Sequence, residues 1–458
     1  MSNSSSLGSV FTGLLKKWFG PFTKEEFKKY LLLGVIFAFI IGVYWTLRPL
    51  KDAIFGSVVG RGQWLAYAKI VSMCMLFPLV ALYGKLVDRF PRDKMFYLLG
   101  IMYAALMVFW GIIFALPGIG LTNTVTSEWR IVGWLWYVFV ESFGSLMVAL
   151  FWAFISDISD PKSAKYGFPL VVLVGQLGGI LGPRYLSRIP NLIGAQTTAP
   201  LVALLSVFIL IIVALVAVFM KITPKDQLEG FKGEQNKAIE KEDKEEPGFL
   251  DGLKLLVQHK YLLGIFIVLS AFEVIATFID FNFKNMVFEA FSTDIARNLY
   301  LSNWGSTVNF VAFICLLLGV NNIQRWLGVR FTLALMPFVV GLAVVMFKFY
   351  HNIDVLFWLI VGAKAINYAL NSPTLKQLYV PTTPDAKYKS QAWIETFGSR
   401  GAKGSASGIN ALTGTLGMNV YLALVFYLSL GLLGVWFFVA LFLGREYNQA
   451  IKENRPVC

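Results

Sequence analysis

Residues 199–221 read APLVALLSVFILIIVALVAVFMK, with no charged side chain before the closing Lys221. An α-helix rises 1.5 Å per residue, so about 20 apolar residues cross the roughly 30 Å hydrocarbon layer of a bilayer. A run of this length and composition reads as a membrane span. Working outward, the same pattern predicts spans over 30–56, 64–84, 95–117, 131–156 and 166–186 before it. It predicts 260–281, 301–320, 329–350, 354–372, 392–418 and 420–443 after it. The stretches at 166–186 and 392–418 are rich in Gly and Ser rather than Leu, as expected where helices cross closely or line a cavity. Of the 458 residues 57% are hydrophobic, 16% aromatic and only 15% charged. Soluble domains carry roughly 25% charge, and a soluble globule of this length could not hide so much apolar surface. The expected class is therefore an all-α membrane protein with twelve transmembrane helices.

Forty Lys and Arg against 27 Asp and Glu give a formal charge of +13. Most of that excess follows the basic bias of cytoplasmic loops. With the N-terminus inside, the inner segments hold Lys16, Lys17, Lys24, Lys28 and Lys29, then Lys85, Arg89, Arg92 and Lys94, then Lys162 and Lys165. A dense set between Lys221 and Lys260 follows, with Arg325, Arg330, Lys387, Lys389 and Arg445 beyond it. The outer loops hold chiefly Arg61, Arg130, Arg188 and Arg297. The bias supports this orientation and an even number of spans. Residues 1–29 form a basic cytosolic segment, amphipathic around Trp18–Tyr30 and suited to the inner membrane surface. Residues 30–221 make a first six-helix bundle, 222–259 a charged cytosolic linker, 260–443 a second bundle and 444–458 a cytosolic tail. Cys74, Cys315 and Cys458 are far apart, and His259 and His351 are too few for a cluster, so neither a disulfide framework nor a metal site is expected. The start of the chain lacks a short apolar stretch with a cleavage site, so no signal peptide is expected.

The two bundles share weak internal similarity. Leu50-Lys51-Asp52-Ala53-Ile54-Phe55 ends helix 1, and Phe283-Lys284-Asn285-Met286-Val287-Phe288 follows helix 7. Ala164-Lys165-Tyr166 precedes helix 5, and Ala386-Lys387-Tyr388 precedes helix 11. Gly179 and Gly182 match Gly401 and Gly404. Any one match arises by chance; their common order argues for duplication. Two parallel six-helix repeats with substrate at their interface are the plan of major-facilitator carriers. The loop Gly84-Lys85-Leu86-Val87-Asp88-Arg89-Phe90-Pro91-Arg92-Asp93-Lys94 resembles the signature of that superfamily at the same place. It would act as a conformational latch rather than a substrate site.

A charge at the bilayer centre costs about 2.5–3.5 kcal/mol on insertion scales, so it persists only with a partner, water or a ligand. Arg48 and Lys51 lie in helix 1, Glu141 in helix 4, Glu273 in helix 7, Lys364 in helix 10, and Arg400 and Lys403 in helix 11. Structural ion pairs, such as Glu141 with Lys51, are one explanation. The other is an anionic substrate: a nucleoside triphosphate carries about four negative charges, which Lys and Arg neutralise by charge-assisted hydrogen bonds. Tyr44, Trp45, Trp136, Tyr137, Tyr368 and Tyr379 lie near these charges in sequence, and one or two could stack on a base. No phosphate-binding Gly-rich loop and no nucleophile motif appears, so an enzyme is not expected.

The chain resembles the ATP/ADP translocase type of nucleotide transporter found in plastids and obligate intracellular bacteria. Leu47-Arg48-Pro49-Leu50-Lys51-Asp52 is similar to that family's Leu-Arg-Asp-Thr-Lys-Asp, and Lys51 falls on its functional lysine. Tyr137-Val138-Phe139-Val140-Glu141-Ser142-Phe143-Gly144 is similar to Tyr-Val-Met-Ala-Glu-Leu-Trp-Gly, and Glu141 falls on its functional glutamate. Phe151-Trp152-Ala153-Phe154 and the stretch from Phe168 through Arg184 continue the likeness. In the second half Glu273 stands four residues before Thr277-Phe278, where the family glutamate stands two before Thr-Trp. In Ser372-Pro373-Thr374-Leu375-Lys376-Gln377-Leu378-Tyr379-Val380-Pro381, Leu375 takes the place of a family lysine, with Lys376 beside it and Lys364 as the other candidate. Gly401-Ala402-Lys403-Gly404-Ser405 is similar to the family's Gly-Lys-Ser-Gly-Gly.

The resemblance implies ATP/ADP exchange by alternating access, with Arg48, Lys51, Glu141, Glu273, Lys364, Lys376, Arg400 and Lys403 as the candidate substrate site. It leaves open proton-coupled import of other nucleotides or NAD, and carriage of another organic phosphate. It implies a multi-pass protein of a bacterial inner membrane, acting as a monomer in a lipid bilayer, with no cofactor and no nucleic-acid partner.

Overall fold

The computed structural model describes residues 23–159, 161–228, 249–317, 321–350, 352–383, 390–453 and 455–457. The amphipathic N-terminal stretch up to residue 22, most of the charged linker and the Ala386-Lys387-Tyr388 match lie outside these residues. All regular structure among the described residues is helical.

The first helix, α1 (Lys24–Val58), starts where its sequence provides a capping box. The Glu26 backbone N–H donates to Thr23 Oγ1 at 3.1 Å, and the Thr23 N–H donates to Glu26 Oε2 at 2.9 Å. Two otherwise orphaned amides are thereby satisfied. Five helices follow: α2 (Gln63–Arg89), α3 (Arg92–Ala115), α4 (Ile131–Asp157), α5 (Pro161–Leu181) and α6 (Ala199–Ile222). Beyond the linker come α7 (Lys260–Ala290), α8 (Asp294–Leu317), α9 (Asn321–Phe349), α10 (Ile353–Ile366), α11 (Ser399–Ala411) and α12 (Met418–Glu453). Among the described residues nine helices are long and apolar enough to cross a membrane: α1 to α7, α9 from Gly328, and α12. The remaining three, α8, α10 and α11, are too polar or too short to qualify alone.

Three boundaries depart from the sequence expectation, each for a physical reason. Helix α7 runs to Ala290 rather than 281, so Phe283–Phe288 lies inside it and not after it. Its polar residues Asp280 and Lys284 are paired within the protein, so they do not end the helix. Helix α10 passes into a π-helical turn at Asn367–Asn371 and resumes over Ser372–Gln377. The segment expected as one span over 392–418 is a short turn at Gln391–Trp393, a π-helical turn at Ile394–Gly398, α11, and a further turn at Thr413–Leu416.

Two apolar clusters form the interior. One gathers α1 to α6 around Trp136, Phe143, Phe151 and Phe219 and takes in Phe281 of α7, Ala406 of α11 and Tyr421 of α12; the other gathers α7 to α10 and α12 around Ile275, Met336 and Trp436. Helix α1 lies along α5 closely enough that a Cβ on Gly178 would run into the Ala38 carbonyl, and one on Gly182 would run into the Gly42 backbone. This is the small-residue packing on which helices in lipid rely, and it accounts for the Gly-rich character of α5. The clusters join where α8 packs on α1 and α11 on α2.

At the end expected to face outward, polar contacts tie the segments together. The Thr198 backbone N–H and Oγ1 both donate to Asp294 Oδ2, at 2.8 and 2.7 Å. Arg297 donates to Ser57 Oγ at 3.0 Å, the Gly62 N–H donates to Asn285 Oδ1 at 3.0 Å, and Arg61 lies 3.6 Å from Glu289. Arg130 holds the loop between α3 and α4 by donating to the carbonyls of Ile119, Gly120, Asn123 and Val125.

Candidate functional site

Five helices bring ionised side chains to one buried place. On α1, Arg48, Lys51 and Asp52 fall at three- and four-residue spacing and so share a face. On α7, Glu273, Asp280 and Lys284 recur at seven and four residues, again along one stripe, with Asp280 about 10 Å from Glu273 and Lys284 about 6 Å further. Helix α2 contributes Lys69, α4 contributes Glu141 and Tyr137, and α10 contributes Lys364.

The contacts form a continuous chain. Lys51 donates a hydrogen bond to Glu141 and lies 3.8 Å from Asp52. Lys284 lies 2.8 Å from both Asp52 and Asp280. Asp280 also receives Lys364 at 3.4 Å and Lys69 at 3.9 Å. Lys51, Asp52 and Asp280 are 4%, 1% and 5% exposed, so their charges are compensated by one another rather than by water. Aromatic faces support the cations: Tyr137 lies 4.0 Å from the Lys51 ammonium, Trp304 4.5 Å from Lys364 and Trp45 5.0 Å from the Arg48 guanidinium. Among the described residues Arg48 makes no ion pair, although Tyr44, Tyr368, Asp280 and Glu141 all lie within its electrostatic reach. Five cations therefore surround three carboxylates. The void among Trp45, Arg48, Asp52, Lys284 and Trp304 is about 10 Å³, no more than a single water needs.

Of the residues singled out in the sequence, Arg48, Lys51, Glu141 and Lys364 are brought into this cluster. Glu273 and Lys403 form a neighbouring pair at 3.1 Å, with Ser399 Oγ donating to Glu273 at 2.9 Å. Lys376 lines a separate cavity with Glu273 and Glu395. Arg400 is half-buried on α11, and neither Lys376 nor Arg400 makes an ion pair among the described residues. Trp136 is not beside the charges: it is fully buried against Trp110 and Phe114. The sequence reading missed Asp52, Lys69, Asp280, Lys284 and Trp304. Lys69 carried a usable signal, a lone ammonium within an apolar span, and so did the four-residue spacing of Asp280 and Lys284.

Comparison with known proteins agrees with this architecture. The ADP,ATP carrier protein 1 of Rickettsia prowazekii (strain Madrid E) is 24% identical, over 98% of this chain and 99% of its own length. The ADP,ATP carrier protein 3 of Rickettsia bellii (strain RML369-C) is 22% identical over 97% and 99%. Among solved structures, the nucleoside transporter NupG superposes with a TM-score of 0.62 at 12% identity, covering 91% of this chain and 99% of that one. A bacterial homologue of the iron transporter ferroportin in its inward-facing state gives 0.62 at 13%, covering 92% and 100%. Both share the fold, that of major-facilitator-like carriers. The sequence profile described as TLC ATP/ADP transporter matches residues 6–447, nearly the whole chain. With its helices, its buried cationic cluster and this match taken together, the protein belongs to the TLC ATP/ADP transporter family.

Proposed function

We propose that the protein is a nucleotide carrier that exchanges ATP for ADP by alternating access, and that the cluster around Lys51 and Lys284 is where it binds phosphate. The observation that carries this reading is the buried surplus of cations: Arg48, Lys51, Lys69, Lys284 and Lys364 against Asp52, Glu141 and Asp280. In the empty carrier the carboxylates hold the lysines apart and neutralise most of their charge. A polyphosphate offers each lysine an oxygen in exchange, so carboxylate contacts become phosphate contacts at little net desolvation cost. Arg48, free of ion pairs among the described residues, makes the first contact. Glu273, with Lys403 and Ser399, tunes the charge beside it.

Strict exchange follows from the same surplus. Closing the protein around an unoccupied site would enclose about two uncompensated positive charges, and each enclosed charge costs several kcal/mol. A nucleotide on either side removes that cost. The architecture proposed is twelve spans in two six-helix repeats, 30–221 and 260–443, rocking about the cluster, with cytosolic segments at 1–29, 222–259 and 444–458. Lys51 and Lys284 would then be equivalent residues of the two repeats. The carrier works as a monomer in a bacterial inner membrane.

Uptake of labelled ATP into proteoliposomes tests the proposal. Vesicles loaded with ADP should take up ATP, and empty vesicles should take up almost none. Equal uptake by both, growing with an imposed proton gradient, would replace exchange by proton-coupled import. Inhibition by small sugar phosphates but not by nucleotides would overturn the nucleotide assignment.

A further inference from the structure

Helices α5 and α6 stand apart over α1, and the groove between them encloses about 320 Å³. Val35, Ala38 and Phe39 of α1 form its floor, Val174 and Leu181 of α5 one wall and Phe208 of α6 the other. Gly42, Gly178 and Gly182, which let the backbones of α1 and α5 meet, bring no side chain to fill the space in front of α6. Leu177 and Leu181 are exposed on one rim, and Val207 and Leu210 are exposed on either side of Phe208. The mouth therefore opens on the face that these membrane-spanning helices turn to lipid. Helix α5 meets α8 on a different side, where Ser306 donates to the Ile180 carbonyl at 2.8 Å.

Two features say what the groove takes. The first is its wall. Among the described side chains that line it, Tyr185 alone is polar. A water held inside a protein needs about two to four polar partners, so the groove suits hydrocarbon instead. From Val174 to Tyr185 the helix advances about 16 Å. That is about half of the roughly 30 Å hydrocarbon layer, the depth of one leaflet.

The second feature is the charge at the end expected to face outward. Tyr185 is exposed there, and Arg188 lies one turn further, its backbone N–H donating to the Tyr185 carbonyl at 3.2 Å. Arg184 stands on the same π-turn as Tyr185 and donates to Asn303 Oδ1 at 3.3 Å. Among the described residues neither arginine makes an ion pair. A guanidinium takes a phosphate through two parallel charge-assisted hydrogen bonds. A tyrosine at the membrane boundary keeps its ring among the chains and its hydroxyl among the headgroups.

We propose that the groove binds a phospholipid of the outer leaflet, its acyl chain lying on α1 between α5 and α6 and its anionic headgroup on Arg188, with Tyr185 between the two. A zwitterionic lipid brings the same chain but covers its phosphate with its own ammonium, so the site favours a headgroup of net negative charge. The site is independent of what the protein carries. Helix α1 is the floor of the groove and carries Arg48 and Lys51 beyond Val43, so a lipid seated there braces the helix on which the cationic cluster is built.

The full chain in phosphatidylcholine vesicles, with a trace of phosphatidylglycerol bearing a photoreactive diazirine in its acyl chain, tests this. Illumination and peptide mapping should place adducts on the groove residues of α1, α5 and α6 several-fold above those on exposed apolar residues elsewhere, such as Ile112 and Phe438. Replacing part of the matrix by unlabelled phosphatidylglycerol should cut the groove labelling several-fold and leave Ile112 and Phe438 unchanged. Arg188→Gln should bring groove labelling down to the level reached by a photoreactive phosphatidylcholine of the same chain length. Leu181→Trp, which fills the groove from its exposed rim, should abolish groove labelling by both lipids. Should Leu181→Trp misfold, Arg188→Gln decides alone. Adducts spread evenly over the exposed apolar faces, equal groove labelling by the two lipids, or an unchanged pattern in Arg188→Gln would each overturn the site.

Discussion

Replacing Lys284 by Gln strips two buried carboxylates of their nearest cation. Its ammonium lies 2.8 Å from Asp52 on α1 and 2.8 Å from Asp280 on α7. At an effective dielectric of about 20, each contact amounts to about 6 kcal/mol of raw attraction. Desolvation offsets much of this, and removing one member of a buried pair costs about 3–5 kcal/mol in practice. The two orphans differ. Asp280 keeps Lys364 at 3.4 Å and Lys69 at 3.9 Å, whereas among the described residues Asp52 keeps only Lys51 at 3.8 Å, already engaged by Glu141. Most of the damage therefore belongs to Asp52, and adding Asp52→Asn to Lys284→Gln should restore about 2–3 kcal/mol of it. Denaturant titration of the purified single and double variants in detergent measures that coupling. The double variant should be stable yet carry little ATP, because a phosphate ligand is gone. Single-variant costs that simply add, with coupling below about 0.5 kcal/mol, would refute the pairing. A double variant that takes up ATP at the original rate would remove Lys284 from the phosphate site.

Arg48→Gln should change stability by less than about 1 kcal/mol, since no ion pair is broken, while raising the KM for ATP about tenfold through the lost guanidinium–phosphate contact; uptake kinetics beside denaturant titration check it. Thr198→Val removes a buried hydroxyl that donates to the Asp294 carboxylate at 2.7 Å, a bond of about 1.5–3 kcal/mol. A cysteine placed at Ser57 should then react faster with an impermeant thiol reagent added from outside. Gly56→Val drives side-chain atoms into the Phe288 ring and should open the same end of the molecule, read by the same labelling. Arg130→Ala frees four carbonyls of the loop between α3 and α4, and limited proteolysis from outside should cut that loop sooner while ATP uptake is kept.

The helical, membrane-spanning character was plain in the sequence because lipid demands long apolar runs, and these leave little ambiguity. The start of the ninth span near 329 was equally legible: Gly328 breaks the helix with φ 79°. What periodicity could not convey was the internal irregularity of α10 and α11, where a π-turn changes the helical phase without changing composition. The site was legible to the extent that a charge in an apolar run announces itself, as at Lys51, Glu141 and Lys364. Asp280 and Lys284 escaped because they sit just where the apolar run fades, and a helix end and a paired polar stripe look alike in one dimension. The pairing of Lys364 with Asp280 depends on how α7 and α10 meet, which no local pattern encodes.

The polarity of α8 and α11 has a consequence for biogenesis. Segments below the hydropathy needed to partition on their own enter the bilayer poorly as isolated helices. Helix α8 therefore depends on α1, α5 and α10, which pack on it, to shelter its Asn and Ser side chains, and α11 depends on α2 and α7. Ribosomal pausing or chain truncation between these elements would leave half-inserted intermediates for quality-control proteases. Synonymous changes that alter the pace of translation there should lower the yield of carrier without altering one amino acid.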